Sequence, residues 1–195
     1  MGELIYQIEF FSYWHTSSGL AGGPEAHLMV IKNVDDLPFI PGRTLKGMLR
    51  KAADQINKLN DQLVTKQFIE KVFGVGDDHR NGDSSQSNSG SCFFSNAEIS
   101  QSLSDQIIKK KQQFLLFDTI ASTAIDQNGI AKDNTLRQVE VTIPLSLYAK
   151  IVSFPEDPDN LRQIKACMQW VKKMGYHRSR GLGRCEFTIH QNDLA

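Results

Sequence analysis

The chain has 195 residues, 40% of them apolar, and its 22 lysines and arginines are balanced by 22 aspartates and glutamates. That length buries a proper core without staples, and neutrality excludes a wholesale basic coat, so any nucleic-acid binding has to come from local clusters of Lys and Arg. Cys92, Cys167 and Cys185 stand far apart with no Cys-x-x-Cys pair, Glu3 and Gln7 interrupt the early apolar run, and no stretch reaches the length of a membrane span. The expectation is a reduced, cytoplasmic protein with no membrane partner and no structural metal.

Leu4, Ile8 and Phe10 alternate with Gln7 and Glu9, which predicts a first strand over 3–11. A glycine-rich loop over 17–24 and a short apolar stretch at Leu28 to Ile31 lead to the turn Pro38-Phe39-Ile40-Pro41-Gly42. From Arg43, Leu45, Met48, Leu49, Ala52, Ile56 and Leu59 form one stripe at helical spacing, with Arg43, Lys46 and Arg50 nearly opposite. A solvated face is the plainer reading of those three cations. Gly47 among them costs roughly 1 kcal/mol of helix propensity relative to Ala, a cost that close approach of a ligand backbone would explain.

A second helical stretch is predicted over about 61–73, followed by a polar, serine- and glycine-rich insertion over 76–91 that reads as flexible. Asp77, Asp78 and His79 within it read as solvated loop rather than as a metal cluster. Strands are predicted at 92–97 and 114–117 with a lysine-rich connection between them. Val139, Val141, Ile143, Leu145, Leu147, Ala149 and Ile151 alternate with polar residues, predicting one long strand in which Pro144 marks an exposed edge or a bulge. Ahead of it, 119–138 contains the turn Asp126-Gln127-Asn128-Gly129 and reads as a protruding β-hairpin.

A helix over 158–174 and a last strand carrying Cys185, Phe187 and Ile189 complete the order βαββαβ. This is an α+β chain with a ferredoxin-like, RNA-recognition-motif core bearing insertions, read as a single domain over 1–195. Between the last helix and strand runs Gly175-Tyr176-His177-Arg178-Ser179-Arg180-Gly181-Leu182-Gly183-Arg184. Guanidinium forks among glycines suit phosphate oxygens, and a turn with solvated arginines explains the same run about as well when it is taken alone.

Two stretches together, Phe39-Ile40-Pro41-Gly42-Arg43-Thr44-Leu45-Lys46-Gly47-Met48-Leu49-Arg50 and the Gly175 to Arg184 loop, resemble the RAMP superfamily of CRISPR-associated proteins. Tyr13-Trp14-His15, Phe93-Phe94-Ser95-Asn96-Ala97 and Ala124 through Glu140 are similar to further motifs of that family. With one such domain and one glycine loop, the chain resembles the repeated backbone subunit of a type III effector. The resemblance implies guide RNA and target RNA as partners, together with other effector subunits and copies of itself along the RNA.

It further implies a thumb at the hairpin and guide-RNA contacts by His15, Arg43, Lys46, Arg50, Arg137, His177, Arg178, Ser179, Arg180, Gly181, Gly183 and Arg184, with phosphate binding that is sequence-independent and salt-sensitive. Phe11, Tyr13 and Trp14 are read as base-stacking candidates, with a core role expected for at least one of them.

Family members that cleave target RNA use an aspartate in the loop after the first strand. His27 falls at that position here, with Asp35 and Asp36 a few residues on. The catalytic candidates are therefore Asp35, Asp36 and His27, and the resemblance leaves catalysis open. No cofactor is needed for binding, and a divalent metal would enter only with target cleavage. Two rival readings stand beside this one: a metal-independent endoribonuclease processing precursor guide RNA with His15 or His27 as base, and a ferredoxin-like module binding a small phosphorylated ligand.

Overall fold

A computed structural model describes residues 2–17, 28–75, 89–124, 126–130, 135–155 and 157–190. Among these residues six strands and four α-helices follow one another as β1 (Gly2–Phe10), α1 (Gly42–Leu59), α2 (Lys66–Phe73), β2 (Phe93–Phe94), α3 (Gln101–Lys110), β3 (Phe117–Ser122), β4 (Arg137–Thr142), β5 (Ser146–Phe154), α4 (Pro158–Trp170) and β6 (Cys185–His190). The main sheet has the order β2-β5-β1-β6 and is antiparallel throughout. With α1 and α4 as crossovers this is the ferredoxin-like βαββαβ arrangement, so the α+β expectation holds.

Alternation along the strands decides which face is covered. Leu4, Tyr6, Ile8 and Phe10 of β1 point to the buried side with Leu147, Ala149 and Ile151 of β5 and Cys185 and Phe187 of β6. Against them α1 lays Leu45, Leu49, Ala52, Ala53 and Ile56, and α4 lays Ile164, Cys167 and Met168. Each large side chain enclosed in this way contributes about 1.5–3 kcal/mol. Burial in the same layer pushes the Cys167 and Cys185 thiols up to about 12, which leaves them as apolar packing groups.

The start of α1 is set from a distance. Pro41 offers no side-chain cap, and the Gly42 N–H instead donates to Asn96 Oδ1 at 3.0 Å. A Cβ on Gly42 would stand 2.0 Å from the Phe94 carbonyl oxygen, so only glycine lets the helix begin against β2.

Several elements differ from the sequence reading. The single long strand over 139–151 is two strands in different sheets. β4 pairs with β3, β5 joins the main sheet, and the chain changes partner at Ile143 to Leu145, where Ile143 N–H bonds the Leu116 carbonyl and Phe10 N–H bonds the Leu145 carbonyl. Pro144 interrupts the ladder between sheets instead of marking an edge within one.

The lysine-rich connection contains α3, and the strand expected at 114–117 is a 3₁₀ turn over Gln113–Leu116 that leads into β3. α2 begins only at Lys66, where Thr65 Oγ1 accepts from Phe68 N–H, and α4 stops at Trp170. The pair β3–β4 forms its own two-stranded sheet from Phe117↔Thr142 to Ser122↔Arg137. Most of the insertion expected to be flexible, and the loop segment with His27, lie outside the described residues.

Candidate nucleic-acid interface

The arginine run leaves α4 and returns to β6 through left-handed backbone. His177 has φ 53°, Arg178–Arg180 make one 3₁₀ turn, and Gly175, Gly181 and Gly183 all have positive φ. A Cβ on Gly183 would lie 1.7 Å from the Met174 carbonyl oxygen and one on Gly175 2.3 Å from the His15 carbonyl oxygen. These two glycines are required by packing; Gly181 faces open space.

What the loop packs on is a strap over 11–15. Phe11 N–H bonds the Arg184 carbonyl at 2.9 Å, Gly183 N–H the Tyr13 carbonyl at 2.7 Å and Tyr176 N–H the His15 carbonyl at 3.0 Å, while Arg184 N–H reaches Ser12 Oγ at 2.9 Å. The strap's other edge holds the hairpin: Trp14 and Thr142 exchange both backbone bonds, Trp14 Nε1 donates to the Ile143 carbonyl at 3.1 Å, and Tyr13 OH donates to Asp118 at 3.0 Å. That carboxylate beside the phenol raises the Tyr13 pKa.

With the backbone bonded on both arms, three of the loop's side chains face outward. Arg178, Ser179 and Arg180 are exposed and line one groove with Gly175, Tyr176 and His177. Arg184 is exposed above the Phe11 ring, with its guanidinium carbon 5.6 Å from the ring centroid. Tyr176 stacks on His177 at 3.9 Å between centroids and meets His15 edge-on at 5.7 Å. Partial desolvation, then the Arg180 and His15 charges, lower the His177 pKa, so its ring is neutral near pH 7.

His15 lies fully buried inside the assembly rather than at its surface. Its Nδ1 donates to the Glu140 carbonyl at 2.7 Å, and Nε2 is enclosed with no partner among the described residues. Desolvation lowers its pKa against the opposing pull of Glu140. A ring so placed braces strap and loop and is shut away from the surface, unlike the contact expected of it, while His27, the other candidate base, lies outside the described residues. Trp14 is likewise core, stacked on Phe10 at 4.6 Å, while Phe11 and Tyr13 are partly exposed.

On α1 Arg43 is exposed, and Lys46 and Arg50 are half-buried on the flank of the helix. A Cβ on Gly47 would meet nothing within 4 Å, so internal packing gives no reason for that glycine. Arg137 is exposed at the start of β4. Among the described residues no hydrogen bond or ion pair joins these side chains to the arginine loop.

Asp35 and Asp36 sit on an exposed turn. Asn33 Oδ1 accepts from the N–H groups of Asp35 at 3.0 Å and Leu37 at 2.9 Å, and Asp36 has φ 59°. Among the described residues no group of three or more His, Cys, Asp or Glu side chains is arranged to hold a metal.

Sequence reasoning missed the supporting roles of two residues. Asn96 sets the start of α1. Glu140 ties the 28–32 segment to the hairpin base, accepting from Val30 N–H at 2.9 Å and Lys32 Nζ at 2.8 Å, with that ammonium 3.9 Å from the Phe117 ring centroid. Alternation marked Glu140 only as an outward position of a strand; its partners come from a segment without periodicity.

No curated protein sequence matches the chain. Among solved structures it superposes on a chain of the type III-B Cmr-beta complex bound to cognate target RNA, with TM-score 0.69 and 11% identity, covering 97% of each chain. Against a chain of the apo Cmr-beta complex the TM-score is 0.67 at 10% identity, covering 98% of each. At such identities the likeness concerns the fold. The family model for the RAMP superfamily matches residues 7–186, from β1 through the arginine loop into β6, and the chain belongs to that superfamily.

Proposed function

We propose that the chain is an RNA-binding subunit of a type III CRISPR effector complex, gripping the phosphate backbone of a guide RNA. The observation that carries this reading is the arginine loop: backbone bonds on both arms hold it in place, while Arg178, Arg180 and Arg184 stay exposed around one end of the sheet. A loop fixed in this way loses little entropy when it meets a polyanion, and its guanidinium forks fit phosphate oxygens pairwise. Family membership and the superposition on a chain of a complex bound to target RNA support the same reading.

Arg43, Lys46 and Arg50 would extend the grip along α1, and Arg137, at the end of the β3–β4 ladder away from its base, would meet a target strand. Other effector subunits and further copies of the chain would share the RNA. Target cleavage, where it occurs, would use Asp35 or Asp36. Alanine at each, tested in the assembled complex, decides this: undiminished cutting in both variants removes them.

Replacing Arg178 and Arg180 together with Ala tests the grip. The slope of log affinity against log salt for single-stranded RNA should fall by about 1.4, or about 0.7 for each phosphate contact removed. An unchanged slope and affinity would end the assignment. A small-ligand module would instead leave long RNA unbound from the outset.

A further inference from the structure

Among the described residues only one face of the main sheet is covered. The other is a lattice of outward side chains whose rows are set by register: Phe93, Val152 and Glu3; Lys150, Ile5 and His190; Tyr148, Gln7 and Thr188; Ser146, Glu9 and Glu186. At its centre Ile5, Phe93 and Tyr148 line a groove with Ser95, Asn96 and Lys150. Phe93 is 66% exposed and Tyr148 38%, large aromatic area left in water beside half-buried Ile5 and Val152.

The rim is acidic. Glu3, Glu9, Glu186 and Glu98, which pairs across from Tyr148, all stand on this face. Lys150 is the one lysine or arginine among the described outward residues of these strands, and it is engaged with Glu3 at 2.9 Å. Glu9 and Glu186 lie directly opposite each other on β1 and β6, and among the described residues neither has an ion-pair partner. Like charges directly opposite destabilise a sheet, a cost that a cation arriving from outside would relieve.

We propose that this outer face docks a different protein, through a segment that places an apolar side chain against Phe93 and Tyr148 and lysines or arginines against Glu9, Glu98 and Glu186. Exposed aromatics within a charged rim are the make-up of an interaction patch, and the sign of the rim selects the partner. RNA is disfavoured because three carboxylates without a described ion pair would meet its phosphates. A second copy of this chain, which also carries exposed lysines outside the proposed grip at Lys109 and Lys110, is the competing occupant that the cross-link distinguishes.

The inference assumes that the chain works in an assembly, and it stands apart from the phosphate grip itself. The test places the photo-crosslinker p-benzoylphenylalanine at position 93, in the effector complex purified from its host through a tag on this chain. Leu59, 74% exposed at the end of α1, carries the same group as a control. Irradiation should join position 93 to a different protein chain at a peptide flanked by Lys or Arg. A cross-link to a second copy, a cross-link to RNA, or none above the Leu59 control overturns the proposal.

The variant Glu9→Lys with Glu186→Lys should lower the amount of that partner in the purified complex at least about tenfold and leave RNA affinity within about twofold. Glu98→Lys should act in the same direction from the other edge of the groove, and keeps the test valid where the double variant folds poorly. Undiminished partner recovery in both variants also overturns the proposal. If instead Arg178→Ala with Arg180→Ala leaves RNA affinity unmoved, the grip fails while the cross-link stands, so the two readings fail separately.

Discussion

The arginine loop and the β3–β4 hairpin both carry candidate RNA contacts away from the core, and they are held by different means. The loop is sewn to the strap over 11–15 by backbone bonds on both its arms, and two of its glycines stand where a single methyl would strike a carbonyl oxygen. The hairpin is secured at its base, by Trp14, Tyr13, His15 and the Lys32–Glu140 pair. Towards its tip the described bonds are local, with Asp126 Oδ1 accepting from the N–H groups of Asn128 and Ile130. Grip sites need fixed geometry, and an arm meeting a variable strand needs freedom at its end.

Alanine at the glycines breaks this contrast most directly. Gly183→Ala should destabilise the protein by about 3 kcal/mol or more, since relieving the overlap moves either the loop or Met174. Gly129→Ala in the hairpin turn, at φ 81° with open space around it, carries only the left-handed penalty of about 1–2 kcal/mol. Urea titration with a shared m-value compares them. Equal shifts in midpoint would show that the loop is no more tightly braced than the hairpin.

A smaller effect should appear on acidification. His15 touches both regions, with its Nδ1 on the hairpin and its carbonyl on the loop, and burial depresses its pKa. The unfolded imidazole binds its proton near pH 6.5, before the folded one does. Stability contributed by the neutral ring is therefore complete above that pH and is lost as pH falls towards the folded value. Tm measured from pH 7.5 to 5.5 should decline, and His15→Asn should flatten the decline whatever its absolute Tm. An unaltered slope would assign the pH dependence to other groups, such as His177.

Much of this organisation could be read in the residues. The stripe of Leu45, Leu49, Ala52 and Ile56 predicted α1 to within one residue of its observed start, and the alternations in β1 and β6 predicted the core strands, because burial on one face writes a period into the chain. The arginine loop was visible through its composition. Register between sheets was not: the run over 139–151 keeps one alternation while its two halves pair with different partners, and period two carries no information about which strand lies alongside. His15 was misread as a surface contact because an isolated histidine shows no periodicity, and its enclosure depends on Tyr176 and Glu140, far away in sequence. Asn96 stood out only as part of a family motif, and its bond to the start of α1 was missed for the same reason.

Gly47→Ala gives the smallest shift and the sharpest sign. The position is inside α1, exposed, and free of neighbours within 4 Å, so a methyl there removes unfolded-chain entropy and adds up to about 1 kcal/mol of stability. If the flank bearing Arg43, Lys46 and Arg50 receives an RNA backbone closely enough to need glycine, the same methyl must weaken RNA binding. Stability and affinity then move in opposite directions, which no purely structural role for Gly47 produces. Thermal melting and RNA titration on one preparation measure both. Raised Tm with unchanged affinity would confine the close grip to the arginine loop and leave the cations of α1 as longer-range attraction.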